Sequence, residues 1–234
     1  MSNFIDEQFL RMIREEEQQE QERIRENRLS IPEVTRAVLA GDLEFAEESI
    51  EFTVTEVFPG QVALRLPASF TEMPEDYAKI KYPSERRPKL IYTNDTLTVN
   101  VTVNPTENRL FDDEMEVYQA ELLKMLKRMQ PNASWLSDGV FALGELEPEA
   151  GQQRSQGQSV QMEHQGKKRV GYYEFVSPAM DGNIYNLTFF MAWEEKGLFF
   201  GVNCMEKEMK LWRPIAHGIM ASLQVMGQER KGEG

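Results

Sequence analysis

Cysteine occurs once in the 234 residues, at Cys204, and histidine twice, at His164 and His217. A single thiol excludes an intramolecular disulfide framework and any zinc site built on several thiolates. Two imidazoles leave little general-base chemistry for neutral pH. Long apolar runs are missing as well. The longest, such as Leu187 to Trp193, fall far short of the roughly 20 residues that a membrane-spanning helix needs. Positive charge is in deficit, with 26 Lys and Arg against 39 Asp and Glu and a net charge of -13. Such a field repels a nucleic-acid backbone and an anionic membrane surface, so neither is expected as a partner, and a protein or a small ligand is. The N-terminal residues lack a charged-then-apolar signal pattern, and a cytoplasmic location is the expectation. Gly-x-Ser-x-Gly, Walker-type, His-Glu-x-x-His and calcium-loop patterns are absent, so no metal or cofactor is expected.

What the sequence does have is a concentration of aromatic and apolar residues between Arg169 and Met205. It reads as three consecutive strands, with turns at Pro178 to Gly182 and Glu194 to Gly197. In the middle strand Tyr185, Leu187, Phe189, Met191 and Trp193 share one side by period-2 alternation. Ile184, Phe190 and Ala192 lie on the other. A strand apolar on both sides must be covered on both.

Residues Met1 to Leu29 are rich in Glu, Gln and Arg, without Gly or Pro, and favour helix. Phe4, Ile5, Phe9, Met12 and Ile13 make a short apolar stripe at helical spacing, too short for a coiled coil of several heptads. Ser30 to Glu33 has the spacing of a capping box, and the short helix it starts should end at Gly41. The domain boundary is expected in the acidic stretch Glu44 to Glu48, giving a helical extension over 1–44, a core domain over 45–226 and a frayed tail. Strands follow at Ile50 to Val57 and Gln61 to Leu66. After Pro67 the chain reads as irregular, ending in a cluster of Lys79, Lys81, Arg86, Arg87 and Lys89 that is anomalous in so acidic a protein.

A hairpin is expected over Lys89 to Asn104, its second strand placing Leu97, Val99, Val101 and Val103 against the core. Thr98, Asn100, Thr102 and Asn104 would face water or line a polar groove. Leu110 to Met129 is the clearest helix, Trp135 to Glu145 a further strand, and Glu206 to Val225 a closing helix containing Pro214. The Gln/Gly/Ser-rich stretch 147–165 has too few apolar side chains to repay ordering and reads as a flexible insertion. The expected fold class is α+β, an antiparallel sheet flanked by helices in an α/β/α sandwich.

Leu66-Pro67-x-x-Phe70, the long helix after the first hairpin, Gly171-Tyr-Tyr-Glu-Phe175, the meander, and the closing helix with Trp212, Pro214 and Ser222 occur in that order. This arrangement over about Ile50 to Val225 resembles the superfamily of PsbP, the Ran-binding Mog protein and the DcrB-type bacterial proteins. The resemblance implies a PsbP-like sandwich and a protein that binds other proteins without a shared catalytic set. One branch looks like the adaptor chaperones of bacterial secretion systems.

Three readings of function follow. The first is a non-enzymatic protein-binding module, an adaptor or chaperone, contacting its partner through Lys79, Lys81, Arg86, Arg87 and Lys89 and through Phe4, Phe9 and Ile13. It requires an exposed apolar patch on the sheet or beside the first helix. The plainer reading of the cations is a solvated loop neutralised by the protein's own carboxylates. The second is a self-assembling component that dimerises through Met1 to Leu29. The third is a hydrolase in which Cys204 and His217 meet as nucleophile and base. A buried thiol and a surface imidazole are the plainer reading there.

Overall fold

A computed structural model describes residues 30–45, 48–85, 87–144 and 168–226. Phe4, Phe9, Ile13, Arg86 and the insertion at 147–165 lie outside the described residues. The chain runs α1 (Ile31–Ala40), β1 (Asp42–Phe45), β2 (Glu48–Phe58), β3 (Val62–Pro67), β4 (Thr71–Glu72), α2 (Glu75–Lys81), β5 (Leu90–Thr93) and β6 (Asn100–Arg109). It continues with α3 (Met115–Met129), β7 (Ser134–Ala142), β8 (Arg169–Ala179), β9 (Gly182–Trp193), β10 (Lys196–Met205), α4 (Met209–Ala221) and β11 (Gln224–Val225).

The aromatic meander forms as expected. Tyr185, Leu187, Phe189 and Met191 are fully buried on one face of β9, and Phe190 and Ala192 are buried on the other. Strand order is β4-β5-β6-β10-β9-β8-β7, all antiparallel, and a ring pair holds each face together. Phe189 stacks on Phe200 at 4.8 Å and Phe190 on Phe199 at 4.9 Å. Each such pair contributes about 0.5–1.5 kcal/mol beyond area burial. Helix α3 buries Met115 and Leu123 against Tyr173, Phe175 and Phe190. Helix α4 lies over the opposite face, where its Arg213 and His217 reach Glu174. The fold class is therefore α+β, an antiparallel sheet with helices on both faces.

A second, four-stranded sheet, β1-β2-β3-β11, corrects the expectation that every strand joins one sheet. Leu64 and Leu66 of β3 are fully buried. The Ser222 hydroxyl ties this sheet to the end of α4, accepting from the Arg65 amide at 2.8 Å and donating to the Ile219 carbonyl at 2.7 Å. Ile31 onward forms one compact unit. Val34, Thr35 and Val38 of α1 are buried, and α1 packs on α4 at Gly218. A Cβ at Gly218 would lie 2.6 Å from Val38 Cγ2, so the helices cross where a side chain is missing.

Two local differences bear on function. The passage after Pro67 is not all irregular, because Glu75–Lys81 forms α2, with Glu75 and Asp76 in its first turn and Lys79 and Lys81 in its last. That charge order suits the helix dipole. The β5–β6 connection is longer than a tight hairpin. Asn94 Oδ1 accepts from the amides of Thr98 and Val99, both at 3.0 Å, and Leu97 adopts a φ of 59°. Leu97 and Thr98 thus sit in a loop, outside the strand assigned to them by alternation.

Candidate functional site

Ile91, Thr102, Gly201, Thr188 and Tyr173 form one row across the large sheet. Ile91 at one end packs with Ala78 of α2, and Tyr173 at the other packs under α3. Helices α2 and α3 therefore share a face of the sheet. The neighbouring row carries Thr93, Asn100, Asn203 and Asn186. Asn100 is fully buried. This corrects the expectation that its side of β6 faces water: Thr93 Oγ1 donates to Asn100 Oδ1 at 3.0 Å, and Asn100 Nδ2 donates to Asn203 Oδ1 at 2.9 Å. Tyr82, just past α2, closes the row with its hydroxyl 3.5 Å from Asn203 Nδ2.

Two cavities flank α2. One, of about 420 Å³, is lined by Glu72, Met73, Glu75, Ala78, Arg87, Pro88, Lys89 and Ile91. The other, of about 300 Å³, opens where the end of α2, the 94–99 loop, the β8–β9 turn and the end of β10 converge. Lys81, Leu97, Thr98, Met180, Ile184, Asn203 and Met205 are among its lining residues. The segment from Glu75 to Lys89 borders both. It also exposes Tyr77 and Ile80, the latter at 79%.

Among the described residues, the cations singled out in the sequence do not converge on one point. Lys79 pairs along its own helix with Glu75 at 2.8 Å. Lys81 donates to the Leu97 carbonyl. Burial lowers its pKa, opposed by the nearby negative charge of Glu208. Arg87 and Lys89 line the larger cavity, and the Lys89 ammonium also stands 5.3 Å from the Phe58 ring centroid. Glu208 receives the Thr98 hydroxyl at 3.0 Å, while its Oε2 is buried with no hydrogen-bond partner among the described residues.

The densest polar cluster lies elsewhere, and alternation did not reveal it. Glu174 occurs in phase with Val170, Tyr172 and Val176 on the α4 side of β8 and is fully buried. Its carboxylate accepts from Ser137 at 2.7 Å, Tyr185 at 2.8 Å, and Arg213 at 3.1 and 2.6 Å, with His217 Nε2 at 3.2 Å. Burial alone would raise its pKa, but the bonds from His217, Arg213 and Ser137 outweigh this and hold it far below the usual carboxylate range. Burial and the adjacent Glu174 charge push the Tyr185 phenol well above its ordinary value. The signal in the sequence was a lone acid in an otherwise apolar strand.

Cys204 and His217 receive different partners. Burial, and then the charge of Glu208, push the thiol up to about 12, and the His217 ring is engaged by Glu174 and edge-on to Tyr172. A thiol so protonated is a poor nucleophile at neutral pH. Among the described residues no group of three His, Cys, Asp or Glu side chains is placed to hold a metal. No described helix is long and apolar enough to cross a membrane.

No protein-family model and no curated protein sequence matches the chain. Solved structures with a similar chain path include the cyanobacterial PsbP of Synechocystis sp. PCC 6803, at 10% identity and TM-score 0.48 over 78% of this chain and 97% of that one. LpqN of Mycobacterium tuberculosis, described as involved in cell envelope biogenesis, is similar at 10% identity and TM-score 0.41 over 76% and 92%. PA94 of Pseudomonas aeruginosa, described as a putative regulator, is similar at 8% identity and TM-score 0.40 over 76% and 99%. The similarity concerns chain path alone and carries no activity to this protein.

Proposed function

We propose that this protein is a non-catalytic module that binds another protein through the face built by α2 and the loop up to Lys89. The observation that carries this reading is that both cavities flanking α2 border one segment, which also exposes Tyr77 and Ile80. Exposed aromatic and aliphatic side chains beside concave surface supply the contact area of an interface, and the cations supply orientation. Arg87 and Lys89 share their cavity with Glu72 and Glu75, so a partner segment seated there would meet charges of both signs. In the adaptor or chaperone form of this reading, an apolar stretch of the partner lies against Tyr77, Ile80 and the fully exposed Met180.

The test uses the tagged full chain, native and with Tyr77→Ser, Ile80→Ser and Arg87→Glu combined, purified from its source cells. The three positions lie on the surface or at a cavity rim, so circular dichroism should be unchanged. A discrete protein retained by the native chain and lost from the triple variant supports the reading. Retention of the same proteins by both contradicts it.

A further inference from the structure

We infer that the cavity of about 300 Å³ at the end of α2 binds the C-terminal carboxylate of a polypeptide whose last side chain is apolar. The inference rests on the protein-binding reading and names the chemical group that one part of that surface would take.

Two hydrogen-bond donors line the cavity with capacity to spare. Lys81 makes one hydrogen bond, to the Leu97 carbonyl, out of the three its ammonium offers, and the charge of Glu208 acts on it without a direct ion pair among the described residues. Asn203 uses its Oδ1 to accept from Asn100, which fixes the amide so that Nδ2 is the free donor end. Its contact, the Tyr82 hydroxyl, lies at the long limit of 3.5 Å. The Asn100 and Thr93 bonds behind it hold this orientation from the buried side. A carboxylate is the ligand group that accepts from both an ammonium and an amide, and charge assistance makes the first bond strong.

Ile184, Met180 and Met205 supply aliphatic and thioether lining, beside the polar Thr98 and Asp181. That lining suits one apolar side chain, with the thioethers adapting to its shape. Leu97 is held at a φ of 59°, uncommon for a residue with a Cβ, with its carbonyl on Lys81 and its side chain packed against the Met73, Ala78 and Ile91 cluster. Carboxyl-terminus capture by converging donors is an established mode of peptide recognition. Asp181 at the rim and Glu208 behind Thr98 are acidic, so the site disfavours a ligand with further negative charge close to the carboxylate. Free C-termini of otherwise uncharged sequence meet that condition.

The experiment is calorimetric titration of the full chain with three probes: an uncharged N-acetylated hexapeptide ending in Leu with a free carboxylate, the same peptide as its C-terminal amide, and sodium hexanoate. Saturable binding of the free-acid peptide, weaker by about tenfold or more for the amide and for hexanoate, is the expected result. Lys81→Met should lower that affinity by about tenfold, and Met180→Glu, at a fully exposed rim position, should also weaken it. Asp181→Asn should tighten it about two- to threefold at low salt. Equal binding of acid and amide overturns the carboxylate assignment. Equal binding of hexanoate and peptide assigns the site to free small carboxylates and overturns the polypeptide end. No binding of any probe overturns the inference, while loss of the partner in the α2 triple variant would leave the broader reading standing.

Discussion

The guanidinium of Arg213 donates twice to the carboxylate of Glu174, from Nε at 3.1 Å and from Nη2 at 2.6 Å, and so fastens α4 to β8 across the face of the large sheet. Glu174 is fully buried, whereas about a third of the Arg213 side chain reaches solvent. Removing either partner leaves an unevenly compensated charge at the helix–sheet boundary. Glu174→Gln and Arg213→Met should each destabilise the fold by about 3 kcal/mol. The double variant, Glu174→Gln with Arg213→Met, should lose less than the two single losses together, by about 1 kcal/mol or more. Urea midpoints of the four proteins measure this, and strict additivity would remove the ion pair from the account.

Acid should weaken the native protein through the same residue. The folded carboxyl is held far below its unfolded value, so its contribution is complete above the ordinary Glu range, near pH about 4.3. As pH falls below that range the unfolded chain takes up the proton and the folded one does not, and the contribution shrinks until the folded group is protonated. Unfolding free energy measured from about pH 6 down to about pH 2.5, across the carboxylate range, should fall more steeply for the native chain than for Glu174→Gln. Parallel curves would contradict it.

Cys204 should be inert in the native state. With its thiol pushed up to about 12, alkylation by iodoacetamide at about pH 8 should be at least roughly a hundredfold slower than in the urea-unfolded chain, where the thiol has its ordinary acidity. Because the folded value is raised, this residue favours the native state below the ordinary thiol range, and that contribution is lost as pH rises toward about 12. Comparable alkylation rates in both states would refute the burial.

Gly218 sets how closely α1 approaches α4. Gly218→Ala places a Cβ 2.6 Å from Val38 Cγ2, so the helices must part. The expected loss is about 1–3 kcal/mol. Adding Val38→Ala, which removes the opposing methyls, should recover part of it. A neutral Gly218→Ala in thermal unfolding would mean that the two helices have room for a methyl group at their crossing.

Period-2 patterning located the core of β9 because Tyr185, Leu187, Phe189 and Met191 alternate without exception, and the helical stripe of α3 was equally plain. Glu174 escaped because alternation assigns a face and says nothing of what a helix 39 residues further on will present there. Asn100 was misassigned for the same reason: polar residues on one side of a strand read as water-facing until Asn203 and Tyr82 cover them. Helix α2, at seven residues, is too short for its apolar period to register, yet Pro74 followed by Glu75 and Asp76 was its start signal. The partition into two sheets depends on which distant strands pair, and turn chemistry does not encode that. Of the candidate contact residues, Lys79, Lys81, Arg87 and Lys89 prove to lie on one segment, although they point to different places.

Photo-crosslinking in the source cells, from a benzophenone amino acid placed at one exposed site at a time, tests the binding face most directly. Ile80 on α2, Val54 on β2 and Met125 on α3 sample three separate exposed positions. Cross-linking of a discrete protein from Ile80, and weaker or none from Val54 and Met125, is the predicted result. A strong adduct from Val54 or Met125 with none from Ile80 would move the interface off α2 and contradict the proposal.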